Sequence, residues 1–223
     1  MRTDLLPTAP PGPDAPAGPA RRGRPGRLAL VAGVPAVWVV LALAHPRVEA
    51  DAIYVGLRDR VGLWLGIHLA QLALATGLGV ALWLAVRHQP GPAATLTRLA
   101  VPVYLVFWAA FDAVAGVASG LALHHASSLT GAERDGAAST AEYLLDNRVS
   151  GDLSAVWFVG QVALVVAVLG VAFTLRRVGA PRSVWGAAVV GVLVSMHAGP
   201  PAAVGLAALG FALWRAERRG LLR

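Results

Sequence analysis

The amino-acid sequence predicts an all-α polytopic membrane protein, a bundle of about six transmembrane helices with both termini in the cytoplasm. Of its 223 residues, 57% are hydrophobic and only 14% are charged, whereas about 25% are charged in a typical soluble domain. The apolar residues are concentrated in runs that are long enough to cross a bilayer. The chain contains no lysine, and its arginines fall mostly between these runs.

The distribution of arginine predicts the orientation. Fourteen of the 19 arginines lie before the first apolar run, between the second and third runs, between the fourth and fifth runs, and at the C-terminal end. The other five lie in residues 45–60, 125–153 and 198–200. By the positive-inside rule, the arginine-rich segments face the cytoplasm. The net charge of +7 is explained by anionic lipid headgroups, so we predict the lipid bilayer and no nucleic acid as a partner. Arginine without lysine is typical of high-GC bacteria, which indicates a bacterial cytoplasmic membrane.

The predicted elements follow in chain order. Residues 1–26 are rich in Pro, Ala and Gly, which predicts a disordered cytoplasmic tail. Residues 27–216 form the predicted bundle and residues 217–223 a second cytoplasmic tail. The predicted spans cover residues 28–44, 61–86, 99–124, 154–175, 183–198 and 201–216.

Two segments leave alternatives open. The last two spans are short and are separated by the turn AGPP, so a re-entrant hairpin is the alternative to two full spans. Ala42, Leu43 and Ala44 resemble a signal-peptide cleavage site. Because the apolar run is longer than a typical signal core, we predict that residues 1–44 are retained. Cleavage, the alternative, would expose His45 as a new N-terminus.

The predicted outer loop at residues 125–153 contains its own helix signal. Ser139 and Glu142 match the S-x-x-E capping box. We therefore predict a short amphipathic helix that begins there and ends near Asn147.

Ionisable and amide side chains within the predicted spans are the candidate functional residues, because such groups are costly at membrane depth. Asp112 lies roughly 18 Å from the outer end of the third span, near the midplane. His68 and Gln71 lie one turn apart on the second span, and Gln161 lies on the fourth. Interhelical hydrogen bonding or packing is the alternative role for all four.

Further polar residues lie near the outer mouth of the predicted bundle. Ser195 and His197 complete the predicted ligand or proton pocket, which opens outward and ends near Asp112. Three more histidines are predicted at the outer interface, where solvated histidine is the simpler interpretation: His45, His124 and His125.

Gly116 and Gly120 form a GxxxG motif on the third span. Small residues at this spacing let another helix approach closely. Asp112 lies one turn from Gly116, so we predict that it faces the bundle, with the second span as its neighbour.

The segments GIHLAQL at 66–72, AFDAVAGVASG at 110–120 and MHAGPPAAVGLAAL at 196–209 resemble multipass membrane proteins of actinobacteria to which no activity is assigned. The resemblance covers most of the chain after residue 40. It implies an integral membrane protein and no particular functional residue.

The absence of cysteine excludes disulfides, thiolate metal sites and cysteine nucleophiles. No catalytic motif occurs, so a non-enzyme is favoured and no cofactor is predicted. The leading hypothesis is a membrane protein whose outward-facing pocket binds a small ligand, a proton or a metal. The alternatives are a secondary transporter or proton-coupled permease subunit, and a redox protein that holds haem b between His68 and an outer histidine. A homo-oligomer or a further membrane partner is left open.

Overall fold

The computed structural model describes residues 24–46, 53–150 and 153–222, and these residues are helical with no strand. The all-α prediction is confirmed. We number the helices as α1, residues 24–44; α2, Ile53–Val86; α3, Pro92–Ala126; α4, Gly131–Ser150; α5, Leu153–Arg177; α6, Arg182–Met196; and α7, Gly199–Arg218. Four of them contain irregular turns, which are π turns at Ala29–Gly33 in α1 and Ala113–Ala118 in α3 and 3₁₀ turns at Arg58–Arg60 in α2 and Gly191–Met196 in α6.

Four helices are long and apolar enough to cross a membrane. They are Pro25–Ala44, Ile53–Val86, Pro92–Ala126 and Ser154–Arg177. Helix α6 is a shorter apolar helix, and α7 follows it after a break at His197 and Ala198. The prediction of a membrane-embedded helical protein is supported by these four helices. The count of six spans and the orientation stay predictions.

The outer surface of the bundle is apolar, unlike that of a soluble protein. Large apolar residues point outward, as shown by Val106, Leu99 and Phe158, whose exposed fractions are 66%, 63% and 61%. The interior is mainly apolar as well, but it also contains a few buried polar groups, including Asp112 and Gln71. Because lipid is itself apolar, this arrangement is expected where a bilayer surrounds the helices.

Close helix contacts depend on residues without a side chain. Helix α3 packs along α5, and a Cβ at Gly170 would overlap the Thr97 hydroxyl and come within 2.8 Å of the Ala93 carbonyl oxygen. Helix α7 packs against α1 and α6, with Gly205 set against the backbone of Val194. In membranes, such contacts replace the hydrophobic effect as the force between helices.

One end of the bundle, which we call the arginine end, is held by arginine and glutamine side chains. Arg27 forms an ion pair with Glu217 at 2.9 Å and donates to the Leu222 carbonyl at 2.9 Å. Arg98 donates to the Val86 carbonyl at 2.9 Å. The same end contains Arg177 bonded to Pro90, Gln89 bonded to Leu221, and guanidiniums placed over Trp185 and Trp214.

Two predicted boundaries are wrong. Helix α4 runs from Gly131 to Ser150, so Ser139 lies inside it and caps nothing. Residues 131–141 include several alanines, which favour propagation of a helix once it has begun. The Glu142 carboxylate instead accepts the Tyr54 N–H at 3.5 Å. Helix α1 begins at Arg24, within the predicted N-terminal tail, whose residues 1–23 lie outside the described residues.

Candidate functional site

Three histidines from separate parts of the chain meet at the end of the bundle opposite the arginine end. His45 follows the last residue of α1, His68 lies on α2, and His197 lies between α6 and α7. One ring nitrogen of each lies within 4.8 Å of the others. The ring centroids are separated by 5.1 Å for His45 and His68 and by 5.4 Å for His45 and His197. We call these three residues the histidine cluster.

Backbone carbonyls orient two of the three imidazoles. Nδ1 of His68 lies 2.8 Å from the Trp64 carbonyl oxygen, and Nδ1 of His45 lies 2.9 Å from the Pro46 carbonyl oxygen. A carbonyl oxygen can only accept, so Nδ1 is the donor in both rings. In a neutral imidazole the Nε2 lone pair is then the coordinating atom, the arrangement seen in histidine ligands of metals.

His197 has an unusual backbone conformation. Its φ of 65° and ψ of −52° fall in the region of the γ-turn. The turn is closed by the Ala198 N–H, which donates to the Met196 carbonyl at 2.7 Å. No other non-glycine residue in the described part of the chain has a positive φ. Backbone strain of this kind persists where the surrounding structure imposes it, and it is concentrated at functional sites.

Aromatic rings cover the histidine cluster. The indole of Trp64 lies 4.2 Å from the His68 ring and 5.1 Å from the His45 ring, measured between centroids. On the other side, Trp108 lies 5.2 Å from His197. These side chains lower the local dielectric constant, which strengthens electrostatic interactions within the cluster.

Asp112 lies beside the histidine cluster on α3. It is fully buried, and its Oδ1 lies 3.9 Å from Nε2 of His68. Neither of its carboxylate oxygens has a hydrogen-bond partner among the described residues. It directly precedes the π turn Ala113–Ala118, and π turns within helices are frequent at functional sites.

Gly116 allows His68 to occupy its position. A Cβ there would overlap the His68 imidazole and lie 3.0 Å from Oδ1 of Asp112. The Gly116 carbonyl accepts the indole N–H of Trp64 at 2.7 Å. Gly120 makes a second close contact, since a Cβ there would lie 2.6 Å from Leu65. The two glycines therefore bring α3 against α2.

Gln71 lies one turn along α2 from His68 and is completely buried. Neither its amide oxygen nor its amide nitrogen has a hydrogen-bond partner among the described residues. It extends the polar region from the histidine cluster toward the interior of the bundle.

Gln161 and Ser195, which the sequence places in the same pocket, connect α5 to α6 instead. In the amide orientation that satisfies both of its ends, Gln161 donates to the Ser195 carbonyl at 3.0 Å and accepts the Trp157 indole N–H at 3.2 Å. The Ser195 hydroxyl donates to the Val192 carbonyl at 2.8 Å. These bonds give both side chains a packing role.

Sequence reasoning left His45 outside the predicted pocket. The relevant signal was its position at the end of the first predicted span, since the fifth predicted span also ends next to a histidine, His197. In the structure His45 directly follows α1 and His197 directly follows α6. The other two outer histidines, His124 and His125, are exposed at the end of α3 and do not belong to the three-histidine group.

Two apolar grooves lie away from the histidine cluster. One, of about 460 Å³, is lined by residues of α1 and α7, including Ala36 and Phe211. The other, of about 350 Å³, lies between α3 and α5 beside Val103 and Phe158. Neither includes a residue of the predicted polar pocket.

The described part of the chain is all-helical and includes four helices that are long and apolar enough to cross a membrane. No protein-family model matches the chain, and neither the curated proteins nor the solved structures include a significant match. The geometry of the histidine cluster therefore carries the functional argument.

Proposed function

We propose that this chain is an integral protein of a bacterial cytoplasmic membrane that binds one divalent transition-metal ion at the histidine cluster. The observation that carries the proposal is the convergence of His45, His68 and His197, whose ligand atoms lie within 4.8 Å of one another. Imidazole nitrogen suits Zn²⁺, Cu²⁺, Ni²⁺ and Fe²⁺. Since a zinc–nitrogen bond is about 2.0–2.1 Å long, we expect the rings to move slightly inward on binding.

Asp112 supplies the negative charge that such a site needs. Three neutral imidazoles leave the double positive charge of the ion uncompensated, and charge is heavily penalised within a bilayer. The Asp112 carboxylate lies beside His68 and makes no hydrogen bond to another described residue. We therefore assign it to the ion, either directly or through a bound water molecule.

The strained turn at His197 supports a preorganised site. Its positive φ is stabilised by the surrounding structure, including the ring contacts with Trp108 and His45. A ligand that is held in position before the ion arrives loses less conformational entropy on binding.

The alternatives from the sequence receive less support. Haem b requires two imidazoles on opposite faces of a porphyrin, whereas the rings of His45 and His68 contact each other edge to face at 5.1 Å. A transporter opens to each side of the membrane in turn, so the closed arginine end, with its ion pair of Arg27 and Glu217, is compatible with one of its states but does not favour transport.

The experiment is a titration of the purified, chelator-treated protein with Co²⁺, followed by displacement with Zn²⁺. Bound Co²⁺ absorbs visible light in a pattern that reports nitrogen ligands and geometry. We expect one site per chain in the wild type, and at least about 100-fold weaker binding after His68→Ala or His45→Ala, because loss of even an outer-sphere partner costs 10–100-fold.

His88→Ala is the matched control, because His88 is exposed at the arginine end. It should bind Co²⁺ like the wild type. His45→Ala serves as the ligand variant that is expected to fold even if His68→Ala does not, because His45 lies beyond the end of α1 and is only partly buried. Equal affinity in His45→Ala, His68→Ala and His88→Ala would overturn the proposal.

A further inference from the structure

A second set of buried polar groups extends from the histidine cluster into the bundle. Each has at least one side-chain polar atom with no hydrogen-bond partner among the described residues, and each is almost completely buried. We call this set the inner polar group, and its members are Trp38, Gln71, Tyr104, Trp108 and Asp112.

Four members of the inner polar group, Trp38, Tyr104, Trp108 and Asp112, lie next to one another, and Gln71 lies one turn of α2 from His68. Tyr104, Trp108 and Asp112 lie at successive turns on one face of α3. The Trp108 ring lies 5.8 Å from Tyr104 and 5.9 Å from Trp38, measured between centroids. Trp108 also contacts His197 at 5.2 Å, so the group begins at the histidine cluster.

The chemistry of these atoms indicates their ligand. The two indole N–H groups can only donate, the Asp112 carboxylate accepts when ionised, and the hydroxyl and amide can do both. Lipid can satisfy none of them. Water can donate and accept at once, and a buried water molecule typically bonds to about three polar groups that would otherwise lack partners.

We propose that the inner polar group binds a chain of internal water molecules that begins at the histidine cluster. These water molecules supply the hydrogen-bond partners that the buried side chains lack among the described residues. The inference rests on the buried polar atoms alone and holds whether or not the histidine cluster binds an ion.

The first test measures exchange of the tryptophan indole protons with water by NMR, in protein labelled with ¹⁵N-tryptophan and assigned by single Trp→Phe substitutions. Trp64 is the internal control, because it is as buried as Trp38 but donates to the Gly116 carbonyl. We expect the indole protons of Trp38 and Trp108 to exchange about tenfold faster than that of Trp64, which is the factor expected for one hydrogen bond. Exchange no faster than that of Trp64 would overturn the proposal.

The second test asks whether the group acts as a unit. Tyr104→Phe and Gln71→Leu each remove polar atoms that would hold the chain. We expect both to slow exchange of the Trp108 indole proton with water. Thr76→Val is the control, because Thr76 is exposed on α2 and bonds to its own helix. Unchanged rates in both variants would contradict the proposal.

Discussion

The two ends of the bundle use their polar residues in different ways. At the arginine end, charged side chains bind carbonyls at or just beyond the ends of neighbouring helices, as Arg98 binds Val86 and Arg27 binds Leu222. At the histidine end, Asp112 and Gln71 are more deeply buried and have no hydrogen-bond partner among the described residues.

This difference distinguishes the polar groups that stabilise the fold from the polar groups that serve binding. A polar group that satisfies a helix terminus stabilises the fold. A buried polar group without a protein partner destabilises it by about 1–3 kcal/mol, so its presence requires a ligand or another explanation. The comparison leads us to expect that substitutions of polar side chains at the arginine end change stability, whereas substitutions of polar side chains at the histidine end change binding.

The largest expected effect concerns the location of the two ends, which should face opposite sides of the membrane. The chain contains no cysteine, so single cysteines can be placed at exposed positions, Ser128→Cys at the histidine end and Arg219→Cys at the arginine end. By the positive-inside rule, an impermeant maleimide should label the first in intact cells. The second should be labelled only after permeabilisation. Labelling of both in intact cells, or the reverse pattern, would contradict the orientation.

The next effect concerns Asp112, the buried carboxylate at the histidine end, whose counterpart at the arginine end is Glu217. Asp112→Asn should weaken Co²⁺ binding by about 10–100-fold, as expected for loss of a group that supports a metal site. It should not lower the melting temperature, because the carboxylate makes no hydrogen bond to a described residue. Titration and thermal unfolding in detergent measure the two quantities. A large loss of stability with unchanged affinity would make Asp112 a structural residue.

Substitution of Gly116 tests the close contact of α2 and α3. Gly116→Ala should destabilise the protein by about 1–3 kcal/mol, because the added methyl group overlaps His68. Gly66→Ala is the matched control on α2, where a Cβ meets nothing within 4 Å. That change should be neutral or should stabilise by up to about 1 kcal/mol, since alanine is the better helix former. Equal melting temperatures for the two variants would contradict the observed packing.

The smallest expected effect is at the arginine end. Glu217→Gln should reduce stability by about 1–2 kcal/mol, because it removes a charge-assisted contact with Arg27. Co²⁺ affinity should stay unchanged. Asp135→Asn breaks the exposed pair with Arg134 and should have almost no effect. If Glu217→Gln weakened metal binding, the separation between the two ends would be wrong.

The helices were more predictable than the site. The long α-helical stretch of α2 begins and ends at the predicted residues, Val61 and Val86, because a long apolar run bounded by arginines has few alternatives in a bilayer. The prediction missed the helical segment Ile53–Leu57, which precedes this stretch and extends α2. The capping signal at Ser139 failed because local propensity extended α4 through it. Of two predicted pocket residues, Gln161 bonds from α5 to the Ser195 carbonyl on α6, and the Ser195 hydroxyl bonds to Val192 within α6. Membrane depth can be counted along a sequence, whereas the direction of a side chain depends on the rotation of its helix.

The sequence by itself determined the helical class, the apolar outer surface and the presence of costly polar groups near one end. These properties follow from composition and from the order of residues along each helix. Only the tertiary structure decided that His45 joins His68 and His197, and that Gly116 lets α3 approach that site. The physical reason is that each histidine comes from a different segment, so their proximity depends on how the helices pack and turn about their axes, which no local pattern encodes.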